Sequence, residues 1–89
     1  MAARVRMYTT LICPYCDRAK MLLKAKGVDY EEIDVSRDHA TRAWLVKATG
    51  GRRTVPQIFI NDEPIGGFDD MRALDLAGEL DKKLSQSAA

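Results

Sequence analysis

Between Val5 and Thr9 the chain alternates, with Val5, Met7 and Thr9 set against Arg6 and Tyr8, the period of a short strand. From Pro14 to Lys26 the period becomes helical. Tyr15, Ala19, Leu22 and Leu23 fall near one face, Asp17, Lys20 and Lys24 lie mostly elsewhere, and Gly27 suits the C-terminal cap. Tyr30 to Val35 reads as a second strand. Ser36 or Asp38 then caps a helix running through Trp44, Leu45 and Val46 to about Ala48, where Gly50-Gly51 stops it. Gln57 to Ile60 is a third strand, Asn61-Asp62 a tight turn, and Pro64-Ile65 the start of a brief return strand. Beyond Gly66-Gly67, Asp69 or Asp70 starts a third helix with Met71, Leu74 and Ala77 toward the core. Gly78 interrupts it, and Glu79 to Leu84 add a last helical turn. The order β-α-β-α-β-β-α, a βαβ unit followed by a hairpin and a helix, predicts an α/β fold: a four-stranded mixed sheet with helices on both faces.

Length changes the picture little. The 89 residues, 46% of them apolar, fit one small domain spanning 1–89, with 85–89 expected as a disordered tail. No stretch approaches the roughly 20 apolar residues of a membrane span, and no signal-peptide pattern opens the chain, so a reducing cytoplasmic setting is expected. A net charge of +1 argues against nucleic-acid or anionic-membrane binding. That charge is uneven, however. Arg4, Arg6, Arg18, Lys20, Lys24 and Lys26 face only Asp17 in the first 28 residues, a field that favours an ionised thiol and an anionic substrate.

Cys13-Pro14-Tyr15-Cys16 holds the only two cysteines, at the junction of first strand and first helix. Cys-x-x-Cys beside a βαβ pattern reads as a thioredoxin-like redox motif. Proline suits the first helical position because its missing N–H has no intrahelical partner there. Cys13 then lies at the helix N-terminus, where free N–H groups and the helix dipole favour a thiolate, which makes it the candidate nucleophile. Cys16, one turn further in, is the candidate resolving thiol. A structural zinc site competes poorly, since it wants four Cys or His ligands and the chain offers two cysteines and His39. A purely structural disulfide competes poorly too, because so short a loop removes little unfolded-state entropy.

Two further segments carry chemistry. Thr54-Val55-Pro56 opens the third strand. Pro56 is either a plain edge-strand start or a cis-proline that turns the Val55 N–H and C=O outward, to pair with an extended peptide opposite the Cys loop. Gly66-Gly67-Phe68-Asp69-Asp70 is a turn and helix start. It also offers free N–H groups for a carboxylate and an Asp side chain for an ammonium, the two charges of an α-amino acid. His39 reads as a solvated helix-start residue, Trp44 as a partly buried packing residue, and Arg52 and Arg53 as surface cations, one of them within reach of a ligand carboxylate.

With these three motifs in order, the chain resembles a glutaredoxin of the dithiol class, bacterial type, from Val5 to about Leu84. The resemblance implies a thioredoxin-like fold and a glutathione-dependent disulfide oxidoreductase acting through Cys13 and Cys16. It implies no tightly bound cofactor and no metal, glutathione serving as the reducing co-substrate. Tyr15 would line the glutathione site, Thr54 and Val55 flank its cysteine, and Pro56 be cis. Gly67, Phe68, Asp69 and Asp70 would hold the γ-glutamyl end. The implied partners are glutathione and glutathionylated or disulfide-containing proteins, with glutathione reductase and NADPH acting indirectly, and a monomer is the expected state. One departure stands out: many members carry Lys three residues before the first Cys, where this chain has Thr10, leaving Arg52, Arg53 or another cation to meet the glycyl carboxylate. In a different class stands an iron–sulfur scaffold in which two chains each donate Cys13 and glutathione completes the ligands. Pro14 argues against it, since cluster-binding members usually carry Gly or Ser there.

Overall fold

A central hairpin and a parallel crossover organise the molecule, which a computed structural model describes over residues 3–87. Strand β1 (Val5–Thr9) leads into helix α1 (Pro14–Ala25), then β2 (Glu31–Asp34), α2 (His39–Ala48), β3 (Gln57–Ile60), β4 (Glu63–Gly66), α3 (Phe68–Leu76) and α4 (Leu80–Leu84). The sheet order is β2-β1-β3-β4. β1 runs parallel to β2 and antiparallel to β3, with Met7 opposite Ile58, and β3 and β4 form an antiparallel hairpin. The expected mixed α/β sheet of thioredoxin-like type is therefore present, with a short α4 ending the described chain.

The two faces of the sheet bury different sets. Val5, Met7, Ile58 and Ile60 pack against Ala19 and Leu23 of α1, Met71 of α3, and Leu80 and Leu84 of α4. On the other face Tyr8 and Phe59 meet Val35 and Leu45. Both faces of β1 and β3 are thus covered, which is why Tyr8 is buried at a position the alternation left polar. Asn61 and Asp62, at φ of 51° and 67°, make the hairpin turn. Pro64 sits on the edge strand, where its missing N–H costs no interior bond.

Two sequence expectations change. Tyr15 is exposed rather than on the core face of α1, because the helix turns Cys16, Ala19 and Leu23 inward. Ala77 lies exposed at the end of α3, and Leu80 takes the core position beyond Gly78. Residues 85–87, part of the expected tail, make hydrogen bonds. Ser85 Oγ donates to the Lys82 carbonyl at 3.0 Å, and the Gln86 carbonyl accepts from Asn61 Nδ2 at 3.0 Å. Residues 88–89 lie outside the described residues. No helix among the described residues is long and apolar enough to cross a membrane.

Candidate active site

Cys13 is the N-cap of α1, with extended backbone (φ −152°, ψ 95°) followed by Pro14 at the first helical position. The Cys16 N–H donates to Cys13 Sγ at 3.0 Å, and the Asp17 N–H to the Cys13 carbonyl at 3.1 Å. A sulfur that occupies a cap position takes the orphan N–H of the first turn, and its anion gains most from that contact. Cys13 and Cys16 form a disulfide. The two sulfurs are unequal in access: Cys13 is half-buried, whereas Cys16 is 1% exposed. Of the two sulfurs, Cys13 is therefore the one within reach of an external thiol or disulfide.

Opposite this cap runs Thr54-Val55-Pro56. The Val55–Pro56 bond is cis, and the Val55 carbonyl oxygen lies 3.8 Å from Cys13 Sγ. The segment is braced from the sheet by Gln57, a residue the sequence reading passed over. Its buried side chain donates through Nε2 to the Thr54 carbonyl at 3.0 Å.

The glycine pair closes the third side. Gly67 is the N-cap of α3, and its N–H donates to Asp70 Oδ2 at 2.9 Å, the N3 carboxylate returning to the cap as in a capping box. Arg52 Nη1 donates to the same oxygen at 2.7 Å. Arg52 and the Gly67 N–H together hold the Asp70 carboxyl below its ordinary range, the guanidinium contributing most. Gly66 adopts φ +111°, and a Cβ there would run into both the Asp70 carboxylate and the Arg52 guanidinium. So Gly66 is needed twice over, for a left-handed backbone and for the space that the Arg52–Asp70 contact fills.

Tyr15, Thr54, Val55, Pro56, Gly67, Phe68, Asp69 and Asp70, together with Arg52, line one groove of about 290 Å³. All eight residues expected to hold glutathione thus line one groove, which borders Cys13 through Val55. Tyr15 and Phe68 face each other with ring centroids 6.4 Å apart. Asp69 is exposed and has no ion pair among the described residues, whereas Asp70 is engaged by Arg52. On the far side of Thr54 and Val55 a second cavity, of about 180 Å³, is bordered by Arg42, Arg52 and Arg53. Arg42 and Arg53 have no acidic partner among the described residues.

The basic excess of the N-terminal third is largely neutralised in three dimensions. Arg4 pairs with Glu31, Arg6 with Asp62, Lys20 with Glu32, and Lys26 with Asp75 and Asp81. The general positive field expected around Cys13 is therefore weakened, and the cap contact from the Cys16 N–H is the feature that remains beside its sulfur. Among the described residues only Arg18 and Lys24 of that group lack an acidic partner, and the Arg18 guanidinium sits 5.0 Å from the Tyr15 ring centroid.

A disulfide between an accessible cap cysteine and a buried partner, on a thioredoxin-like sheet facing a cis-proline loop, defines a dithiol thiol–disulfide oxidoreductase. The glutaredoxin family model matches residues 5–65, and the chain belongs to that family. It is 50% identical over 82 residues to glutaredoxin 3 of Escherichia coli, covering 92% of this chain and 98% of that one. It is 51% identical over 81 residues to a glutaredoxin of Pseudomonas aeruginosa, covering 91% and 95%. Among solved structures, a buckwheat glutaredoxin–glutathione complex superposes with a TM-score of 0.86 at 32% identity, covering 92% of this chain and 76% of that chain.

Proposed function

We propose that the protein uses glutathione to reduce protein disulfides and glutathione mixed disulfides. The observation that carries this reading is the single groove beside Cys13. It pairs an extended-peptide edge at Val55 with a helix N-terminus at Gly67 and a free carboxylate at Asp69. Glutathione needs these groups. Its cysteine lies along Val55, its γ-glutamyl carboxylate takes N–H groups at the start of α3, and its ammonium takes a carboxylate. With Asp70 held by Arg52, Asp69 is the acid free for that ammonium, and Asp70 keeps the N-cap in shape. The glycyl carboxylate, which has no Lys at position 10, goes to Arg53. Glutathione's presence in the buckwheat complex supports the same reading.

In the monothiol route the Cys13 thiolate attacks the glutathione sulfur of a mixed disulfide. The Cys13–glutathione bond forms and the substrate leaves as a thiolate. A second glutathione thiolate attacks that bond, which frees Cys13 and releases oxidised glutathione. With a protein disulfide, Cys13 first bonds to one substrate sulfur and expels the other. Cys16 then attacks Cys13, expelling the second substrate thiolate and closing the Cys13–Cys16 bridge, and two glutathione molecules reopen it. A coupled assay comparing glutathione reductase with thioredoxin reductase as electron source tests the assignment. Turnover that needs glutathione is the expected result, and turnover sustained by thioredoxin reductase without glutathione refutes it.

A further inference from the structure

A second groove, about 290 Å³ in volume, runs between α1 and α3 and is lined by Arg18, Met21, Leu22, Phe68, Arg72 and Leu76, with Asp75 at its edge. Met21 is 70% exposed and Leu76 77%, although both are large and apolar. Neither is used by the core. Asp75, the one acid at the groove, is taken by Lys26 Nζ at 2.6 Å. Arg18 and Arg72 have no acidic partner among the described residues. The groove therefore presents an oily floor with two uncompensated guanidinium groups at its rim.

It is also continuous with the active site. Phe68 lines both grooves, its ring faces Tyr15, and the Arg18 guanidinium lies over the other ring of that pair. The two grooves meet at Phe68, so a segment seated in the first can extend into the second. We propose that the α1–α3 groove docks protein substrates through a segment that carries a large apolar side chain flanked by Asp or Glu. Exposed apolar surface rimmed by polar groups is the usual signature of an interaction site. Charge complementarity at such a rim acts chiefly on encounter and partner choice, which suits an enzyme that must release each product. The contact is small, in keeping with a transient encounter. The inference deepens the proposed function, since it takes disulfide-bearing proteins as substrates, but it does not depend on glutathione as the reductant.

The test uses the Cys16→Ser protein, in which attack by Cys13 stops at a mixed disulfide, and contains no glutathione. The probes are peptides whose single cysteine is activated as a disulfide with an aromatic thiol. The Cys13 thiolate bonds to the peptide sulfur and the aromatic thiolate that leaves is read by its absorbance. A flexible Gly/Ser spacer joins that cysteine to Glu-Leu-Glu, Lys-Leu-Lys or Glu-Ser-Glu. At subsaturating peptide, Glu-Leu-Glu should react about three- to tenfold faster than either of the others. Adding Arg72→Glu should abolish the preference between the Glu and Lys peptides, because the new carboxylate offsets the Arg18 guanidinium that remains at the rim. Adding Met21→Ser with Leu76→Ser should remove the preference for Leu over Ser. Because Arg72, Met21 and Leu76 are exposed, these variants should keep the parent's melting temperature and its rate with the aromatic disulfide alone. Equal rates for all three peptides in the parent overturn the proposal, as does a charge preference that survives Arg72→Glu. Failure of glutathione to support turnover, by contrast, leaves these rates untouched and refutes only the choice of reductant.

Discussion

Arg52 and Asp70 meet at 2.7 Å across the mouth of the Cys13 groove, and the oxygen that Arg52 grips is the one that accepts the Gly67 N–H. One carboxylate thus ties the loop before β3 to the start of α3, the two segments that border the groove. Asp70→Asn should cost about 1 kcal/mol in urea unfolding. The contact is charge-assisted, but its ends are 42% and 44% exposed, so solvent screening removes much of the gain.

The same contact predicts an acid dependence. The folded Asp70 carboxyl ionises below its ordinary value of 3.8, so its contribution is fully present above that pH and is lost as pH falls through the folded value. The stability gap between the parent protein and Asp70→Asn should be constant at neutral pH and close below about pH 4. Parallel denaturation series at several pH values check this, and a gap that widens in acid contradicts the assignment. Glu32, Asp34 and Asp38 are also shifted down, by Lys20, Ser36 and Thr41 respectively, so only the difference between the two proteins isolates Asp70.

Gly66→Ala should be more damaging than its size suggests. At φ +111° any side chain is strained, and its Cβ would displace either the Asp70 carboxylate or the Arg52 guanidinium. A loss of about 1–3 kcal/mol is expected. Gly67→Ala, whose Cβ would meet the Pro56 carbonyl at 3.4 Å, should cost less in stability. Its effect should appear as weaker glutathione binding in calorimetry, because a methyl group would stand at the helix start.

Most of the architecture was legible because local signals agreed. Alternation in β1, the Cys-Pro pair at the start of α1, Gly27, the Asn61-Asp62 turn and Gly78 each mark an element boundary that the structure keeps. What escaped was long-range. That Arg52 would find Asp70, 18 residues away, follows from the β3–β4 hairpin bringing the glycine pair beside the loop before β3, and no local pattern encodes it. The same is true of the neutralised basic cluster, whose acids Glu31, Glu32, Asp62, Asp75 and Asp81 all come from later elements. Helical periodicity groups Tyr15 with Ala19 and Leu23 but does not tell which edge of the apolar stripe turns toward the groove rather than the core, so its place in the groove was legible only through the resemblance.

The unequal access of the two sulfurs separates their roles. Cys16→Ser should retain most deglutathionylation, which needs only the accessible Cys13 thiolate, and lose most reduction of protein disulfides. Cys13→Ser should lose both. In the Cys16→Ser protein, ultraviolet absorbance against pH should reveal a Cys13 thiolate persisting below the ordinary thiol range of about 8.5, since its cap contact is to a backbone N–H that this substitution keeps.

Thr10 sharpens the placement of the far end of glutathione. Arg52 is committed to Asp70, whereas Arg53 borders the cavity beyond Thr54 and Val55 with no acidic partner among the described residues. Arg53→Ala should therefore raise the KM for glutathione by a factor of roughly 1.4 to 5, the range of an exposed ion pair worth about 0.2–1 kcal/mol. The effect should shrink with added salt. Thr10→Lys should be nearly silent in the parent, because the carboxylate already has its cation, but should recover most of the loss when combined with Arg53→Ala. Initial-rate kinetics at low and high salt distinguish the outcomes. A marked gain from Thr10→Lys alone, with Arg53→Ala without effect, means that the glycyl carboxylate lies near β1 and is unpaired, and the assignment of Arg53 fails.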